Sequence, residues 1–217
     1  MKRDRPVRLA ITLALGLGLV GAACSSSDHS PASVSSAAGK QLELRADMRK
    51  LWEDHITWTR VVIISAAAGL PDFDAAAGRL LRNQEDIGSA MKPFYGDAAG
   101  DQLTSLLKEH ITTAADLLKA AKANDSVAQD QARSRWYDNA NQIAAFLSQA
   151  NPKHWPLSET TTMMKDHLDL TLAEAVARLS GDYAGDVVAY DRVHDEILRM
   201  ADMLSDGIIS QFPKRFA

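Results

Sequence analysis

The sequence predicts an all-α protein, an antiparallel bundle of about six helices built from three repeated helical hairpins. Apolar residues return every three or four positions, glycine and proline stand at the joints, and no stretch alternates with a period of two. A histidine preceded by an acid and followed by an aliphatic residue occurs three times, at His55, His110 and His167, with spacings of 55 and 57 residues. Each interval holds two helices and a turn, so this repeat predicts three hairpins.

The first 23 residues are typical of a secretory signal peptide. An apolar stretch at residues 9–20 follows four basic residues, Lys2, Arg3, Arg5 and Arg8. Small residues 21–23 then lead to Cys24, the only cysteine of the chain. This arrangement resembles the lipobox of bacterial lipoproteins, although Gly21 stands where that family usually has Leu or Val. The resemblance implies a lipid on Cys24 and a membrane anchor on the extracytoplasmic or periplasmic side; a plain signal peptide with a chance cysteine is the alternative.

Residues 24–39 are rich in serine and alanine and predict a flexible tether before a bundle domain at residues 40–217. Removal of the signal peptide would take away a net charge of +3 and move the chain from −4 to −7. The mature part carries no basic cluster with interleaved aromatic residues, so nucleic acid is not an expected partner. A protein partner is not identified by any pattern in the sequence. With one cysteine there can be no internal disulfide, and stability must come from an apolar core.

Six helical stretches are expected in the bundle domain, at residues 41–68, 74–92, 101–122, 126–149, 158–179 and 183–211. Residues 69–72 stop the first stretch, and Pro93 with residues 95–96 stops the second. Asp125 is placed to end the third stretch and cap the fourth, which Pro152 closes. A weak capping box formed by Ser158 and Thr161 is expected to open the fifth.

Polar side chains recur on the apolar faces of these helices. His55, His110 and His167 lie at the centre of an apolar stripe, and a second pattern, Arg79-x-x-x-Asn83-x-x-x-Ile87, returns as Arg135-x-x-x-Asn139-x-x-x-Ile143. We place His194 at the equivalent position of the third hairpin. Because a buried polar group without a partner costs about 1–3 kcal/mol, the six side chains are expected to meet one another or a ligand in a shared interior.

A transition-metal site is one interpretation of this interior. Neutral imidazoles that converge from different helices suit zinc, copper, iron or nickel, and a carboxylate often accompanies them. The candidate ligands are His55, His110, His167, His194, Glu174 and Asp191, with Asn83 and Asn139 as buried polar partners. The spacing matches no strong metal signature, since Asp191-x-x-His194 is an isolated fragment of such a motif.

Other interpretations remain open. The histidines can instead bond to Asn, Thr or backbone carbonyls of the neighbouring hairpin and fix its packing. Tryptophan and methionine stripes, including Trp52, Trp136, Met163 and Met200, can line an apolar ligand or haem pocket but more often form plain core. Four arginines beside the inward stripes can meet an anionic ligand or pair with nearby acids: Arg60, Arg79, Arg82 and Arg135. An enzyme is the less economical hypothesis, because the chain holds no Gly-x-Ser-x-Gly elbow and no catalytic residue is assigned.

Several segments are similar to those of a family of uncharacterised exported bacterial helical proteins. They are Leu51-Trp52-Glu53-Asp54-His55-Ile56-Thr57-Trp58-Thr59-Arg60, Gly69-Leu70-Pro71-Asp72, Arg79-Leu80-Leu81-Arg82-Asn83, Pro93-Phe94-Tyr95-Gly96 and Met200-Ala201-Asp202-Met203. The resemblance covers residues 42–213 and implies the helical fold and export, with no activity to transfer. We therefore expect a membrane-anchored extracytoplasmic lipoprotein that acts as a binding module for a transition metal. The alternative is a structural or protein-interaction lipoprotein whose polar core only fixes packing.

Overall fold

The computed structural model describes residues 37–217, and α-helices make up most of this part of the chain. The helices are α1 (Ala37–Ala68), α2 (Phe73–Tyr95), α3 (Asp97–Lys122), α4 (Ser126–Ala150), α5 (Leu157–Ser180) and α6 (Tyr183–Gln211), followed by a short 3₁₀ turn, Pro213–Arg215. The predicted bundle of about six helices is thus confirmed. The signal peptide, Cys24 and the tether up to residue 36 lie outside the described residues.

The helices close into a ring. Each packs against the next one along the chain, and α6 returns to pack against α1. The connections are short, from Gly96 alone between α2 and α3 to residues 151–156 between α4 and α5, so consecutive helices run antiparallel. Inside the ring, α1 also contacts α3 and α5. The three helices that carry the repeated histidines therefore approach one another in the interior.

The helix ends agree with the sequence at some turns and differ at others. The Asp125 side chain accepts a hydrogen bond from the Ala128 amide at 3.0 Å, so the predicted cap of α4 is confirmed. The predicted capping box at Ser158 is wrong, because α5 begins at Leu157 after Pro156 and no side chain caps it. Pro93 does not end α2 either: the helix continues to Tyr95, and the Gly96 amide still donates to the Lys92 carbonyl at 2.9 Å.

The connection after α2 is a single residue because Gly96 has a φ of 86°, a conformation that glycine adopts without a steric cost. Helix α3 therefore starts at Asp97, four residues before the predicted start. Its first turns lie directly on α2, since a Cβ at Gly88 or at Gly100 would stand 2.6 Å from the carbonyl oxygen of the other glycine. Backbone contact at this point holds the two helices closer than side chains would allow.

A continuous apolar core fills the ring, and some of its side chains are fully buried, among them Leu168, Ile197 and Ala201. The two ends of the described chain meet at one end of the bundle, where the Lys40 ammonium donates to the Ala217 carbonyl at 2.7 Å. Phe216 is buried beside them. Among the described helices there is none whose length and hydropathy would let it cross a membrane.

Candidate functional site: a buried histidine cluster

The three repeated histidines meet in the centre of the bundle. His55 on α1, His110 on α3 and His167 on α5 are each at most 4 % exposed. The ring centre of His167 lies 5.8 Å from that of His55 and 6.3 Å from that of His110, so His167 stands between the other two. We call these three residues the histidine cluster. The prediction that they share the interior at similar depth is confirmed.

Each of these histidines contacts a polar side chain 29 residues later, on the next helix of the chain. His55 Nδ1 lies 3.2 Å from Gln84 Nε2. His110 Nδ1 lies 3.0 Å from Asn139 Oδ1, and His167 Nδ1 lies 3.0 Å from Glu196 Oε2. The same nitrogen of each ring is thus held by α2, α4 and α6 in turn, and these bonds fix the orientation of the three imidazoles.

The proton positions of His110 follow from its partners. The Asn139 side-chain NH₂ donates to the Leu106 carbonyl at 3.1 Å, which leaves the amide oxygen to accept a hydrogen bond from His110 Nδ1. The Trp136 indole N–H then donates to His110 Nε2 at 3.2 Å. His110 is therefore a neutral ring with both nitrogens paired. The Glu196 carboxylate has only acceptor oxygens, so it accepts a hydrogen bond from the His167 Nδ1–H.

The surroundings of His55 are less completely paired. The Gln84 NH₂ faces three acceptors, His55 Nδ1, the Leu80 carbonyl at 2.9 Å and Asn83 Oδ1 at 3.1 Å, with two hydrogens to share. Gln84 Oε1 is buried and has no hydrogen-bond partner among residues 37–217, and the same holds for the indole nitrogen of Trp52, whose ring lies 5.8 Å from His55. Buried polar groups are rarely left unpaired in folded proteins, which makes this side of the cluster its least satisfied part.

Burial keeps the imidazoles of His55 and His110 uncharged. Removal from water lowers the pKa of His55 well below its ordinary value of 6.5 and lowers that of His110 to about 3, and the neighbouring histidines add to both shifts. At neutral pH both rings are neutral, the form in which an imidazole binds a metal ion. A second ring nitrogen that donates to an amide oxygen or a carboxylate is also typical of metal-bound histidine.

Two of the residues proposed as metal ligands take other positions, whereas Asn83 is the buried partner of His55 that the sequence predicted. Its side chain bonds to His55, its NH₂ donates to the Leu51 carbonyl at 3.0 Å, and Gln84 lies beside the same ring as a second partner. His194 faces outward with its side chain 34 % exposed and bonds to Glu53 at 2.9 Å. Asp191 is exposed as well. The placement of His194 and Asp191 in the interior was therefore wrong.

Helix geometry explains the error at α6. Consecutive residues turn by about 100°, so positions 194 and 196 point in nearly opposite directions. Glu196 faces the interior with Val193 and Ile197, and His194 must therefore face solvent. A sequence signal for this existed: Arg192-x-x-x-Glu196-x-x-x-Met200 continues the pattern of Arg79 and Arg135 at the same interval.

The sixth candidate ligand, Glu174, belongs to a separate buried charge network. Its Oε1 accepts from Arg60 Nη1 at 2.7 Å, and the same guanidinium bonds to both carboxylate oxygens of Asp186, at 2.9 and 3.1 Å. Glu174 and Asp186 are each 1 % exposed, and burial raises the pKa of Glu174 to about 7 against the opposing effect of Arg60. Arg178 adds a longer contact to Asp186 at 3.4 Å. Arg60 thus pairs with acids that are distant in sequence, instead of the nearby acids that the sequence suggested.

Within residues 37–217, no group of three or more His, Cys, Asp or Glu side chains is arranged, as it stands, to hold a metal ion. The six proposed ligands divide into the histidine cluster, the Arg60 network and two surface residues. Comparison of the chain with protein families, with curated proteins and with solved structures gave no match. We therefore infer a function from the residues of the histidine cluster.

Proposed function

We propose that this chain is an exported, lipid-anchored binding protein and that its histidine cluster binds a transition-metal ion. The observation that carries the proposal is the convergence of three buried histidines from three helices, each with Nδ1 held by a polar side chain of the next helix. Histidine ligands of metals are oriented in this way through the nitrogen that does not bind the ion. Zinc and copper are the ions that we consider first, since both accept neutral imidazole.

The ring separations favour this proposal. Two imidazoles that share one zinc ion, with Zn–N distances of about 2.1 Å, have ring centres about 5–6 Å apart in tetrahedral geometry. The separations from His167 are 5.8 and 6.3 Å, at or just above this range. Metal binding also requires two local changes. The Trp136 N–H must leave His110 Nε2, and His55 must offer one of its nitrogens without a proton.

A structural role is the second candidate. Each His Nδ1 already has a partner on the following helix, so the three bonds link α1 to α2, α3 to α4 and α5 to α6. In that case the cluster fixes the packing of the helices and needs no ligand. The two candidates predict different responses to added metal. An ion that binds the folded state raises its stability, whereas the stability of a purely hydrogen-bonded core does not change when metal is added.

Zinc or copper is expected to raise the melting temperature of the purified protein, prepared without a histidine tag. At a free metal concentration of about one hundred times Kd, the native state gains about 2.7 kcal/mol. For a domain of this size the gain corresponds to a rise of about 5–10 °C. His110→Gln should abolish the rise, and the exposed control His194→Gln should retain it.

Melts of the three proteins with zinc, with copper and with a chelator decide between the candidates. Wild-type curves that coincide in all three conditions would remove the metal proposal. The structural role then predicts that His110→Gln lowers the free energy of unfolding by about 1–3 kcal/mol with or without chelator, because Trp136 and Asn139 lose their partner. Quenching of tryptophan fluorescence by zinc in the wild type alone would report the displacement of the Trp136 indole.

The lipid anchor is supported by the apolar stretch and small residues that precede Cys24. Cys24→Ser is expected to move the protein from the membrane fraction to the aqueous phase of a detergent partition, because the substituted residue has no thiol to carry lipid. Wild-type protein should enter the detergent phase. Equal recovery of both proteins in the aqueous phase would contradict the anchor.

A further inference from the structure

Besides the histidine cluster, the bundle contains an apolar pocket with a cavity volume of about 180 Å³. It lies between α1, α3, α4 and α5, in the half of the bundle where α1 ends. Its walls are mainly aliphatic, and Trp136 forms the side nearest to the cluster; they include Val62, Ile111, Leu117, Trp136, Leu172 and Ala175. No histidine contributes to it, so an inference about this pocket does not depend on metal binding.

One polar atom of the wall has no partner. Thr171 is 7 % exposed, and its hydroxyl oxygen makes no hydrogen bond within the described part of the chain. Threonine in a helix normally donates to a carbonyl one turn earlier, as Thr59 does to the His55 carbonyl and Thr113 to the Glu109 carbonyl. Thr171 departs from this pattern, and its side chain lines the pocket. An unpaired buried hydroxyl of this kind is ready to bond to a ligand.

The size of the cavity limits what it can hold. An apolar cavity of about 150 Å³ remains dry and accepts a benzene molecule. A volume of about 180 Å³ leaves room for a single ring with one or two small substituents and is too small for most drug-sized ligands. Three polar side chains, Gln129, Asp130 and Arg133, line the same pocket at the start of α4. These side chains form a polar, solvent-accessible edge of the pocket, through which a small molecule with a polar group can enter.

We propose that this pocket binds a small monocyclic molecule with one hydroxyl group, of the phenol class, whose ring lies among the aliphatic side chains and whose hydroxyl bonds to Thr171. The apolar walls supply most of the affinity, because they remove the ring from water. The hydroxyl supplies selectivity, because a ring without a polar group leaves Thr171 unpaired. A ligand in this place also contacts the indole of Trp136, whose N–H bonds to His110.

Titration calorimetry of the purified protein with p-cresol and with toluene tests the proposal, since the two rings differ in the hydroxyl. We expect p-cresol to bind about tenfold more tightly than toluene to the wild type. Thr171→Val, which removes the hydroxyl at nearly constant volume, should reduce this ratio to about one. Ala175→Leu, which adds volume one turn from Thr171, should abolish binding of both compounds.

Ala114→Leu fills the pocket from α3 and replaces Ala175→Leu if that variant lacks the wild-type circular dichroism spectrum. The proposal is overturned if neither compound binds up to its solubility limit. It is also overturned if binding persists unchanged in the folded, filled variant, or if Thr171→Val leaves the preference for p-cresol intact. The titrations are made in the presence of a chelator, so that the Trp136 indole stays on His110 and the result is independent of metal binding.

Discussion

Replacement of Arg60 by methionine is expected to lower the free energy of unfolding by about 3–5 kcal/mol at pH 8. Arg60 is the main cation that faces Glu174 and Asp186, and both carboxylates are almost completely buried. Loss of one partner of a buried ion pair leaves a charge without compensation, which costs far more than loss of a surface pair. Arg178 cannot replace it, because its contact with Asp186 is longer, at 3.4 Å, and the ion pair of Glu174 is made with Arg60.

The control for this change lies on the same helix. Arg49 pairs with Asp202 at the surface, where both side chains are more than a third exposed. Arg49→Met should therefore cost less than about 1 kcal/mol. Urea unfolding of both variants at pH 8 provides the comparison, and equal costs would refute a special role for the buried network.

The pH dependence of the Arg60→Met variant has a defined sign. Burial raises the pKa of Glu174 to about 7 from an ordinary value of 4.5. Between these values the unfolded chain has released its proton while the folded chain retains it, so this group lowers stability as pH rises. Without Arg60 the pKa of Glu174 should rise further, because Arg60 opposes the effect of burial. The free energy of unfolding that the variant loses relative to wild type should therefore be smaller at pH 5 than at pH 8. A second substitution, Glu174→Gln, should recover part of the stability at pH 8.

Acid is expected to destabilise the protein through His55 and His110, whose pKa values are lowered by burial. Below pH 6.5 the unfolded chain binds a proton at each of these histidines and the folded chain does not. Their contribution to stability is therefore complete above pH 6.5 and is lost as the pH falls. The loss is about 1 kcal/mol per pH unit for each histidine.

Variants isolate this effect from the opposing contribution of Glu174. Between pH 6.5 and pH 4, His110→Gln should lose about 3 kcal/mol less stability than the wild type, since one of the two histidines with a lowered pKa is absent. His194→Gln should lose as much as the wild type, because both of these histidines remain. Urea unfolding at half-unit pH steps measures the slopes. Parallel slopes for wild type and His110→Gln would show that the ring of His110 is protonated in the folded protein.

The positions of the helices and of the three histidines could be predicted because both depend on local periodicity. His55, His110 and His167 each stand at the centre of an apolar stripe. A side chain at that position faces the core in any packing of the helix that buries the stripe. Asn139 was predicted beside His110 for the same reason. The start of α3 and the end of α2 were missed by a few residues, since glycine at position 96 makes the turn alone.

The exact partners could not be predicted in the same way. Asn83 and Gln84 are neighbours on α2, both are fully buried, and both bond to His55. The repeat predicted Asn83 alone, because the contact of Gln84 depends on the rotation of α2 in the bundle, which periodicity does not measure to better than about one residue. The repeat of Asn83 and Asn139 could have predicted Glu196. His194 was predicted instead because of its residue type, although Glu196 stands at the interval of the repeat.

The Arg60 network was beyond sequence reasoning for a different reason. Its bonds join residues separated by 114 and 126 positions. Many acids of the chain could pair with Arg60 equally well on grounds of charge alone. The choice of Glu174 and Asp186 follows from the closure of the ring, which brings α5 and α6 against α1.

The contact between Lys40 and Ala217 places the beginning of α1 and the end of the chain side by side. Since α6 also packs on α1, the order of helices around the bundle has no break between the first helix and the last. The fold is therefore a natural candidate for circular permutation: a short linker from Ala217 to Lys40 would join the existing ends, and residues 123–125 would supply new ones. Both ends of the described domain lie away from the pocket, so a fusion partner attached at either one stays away from the pocket wall.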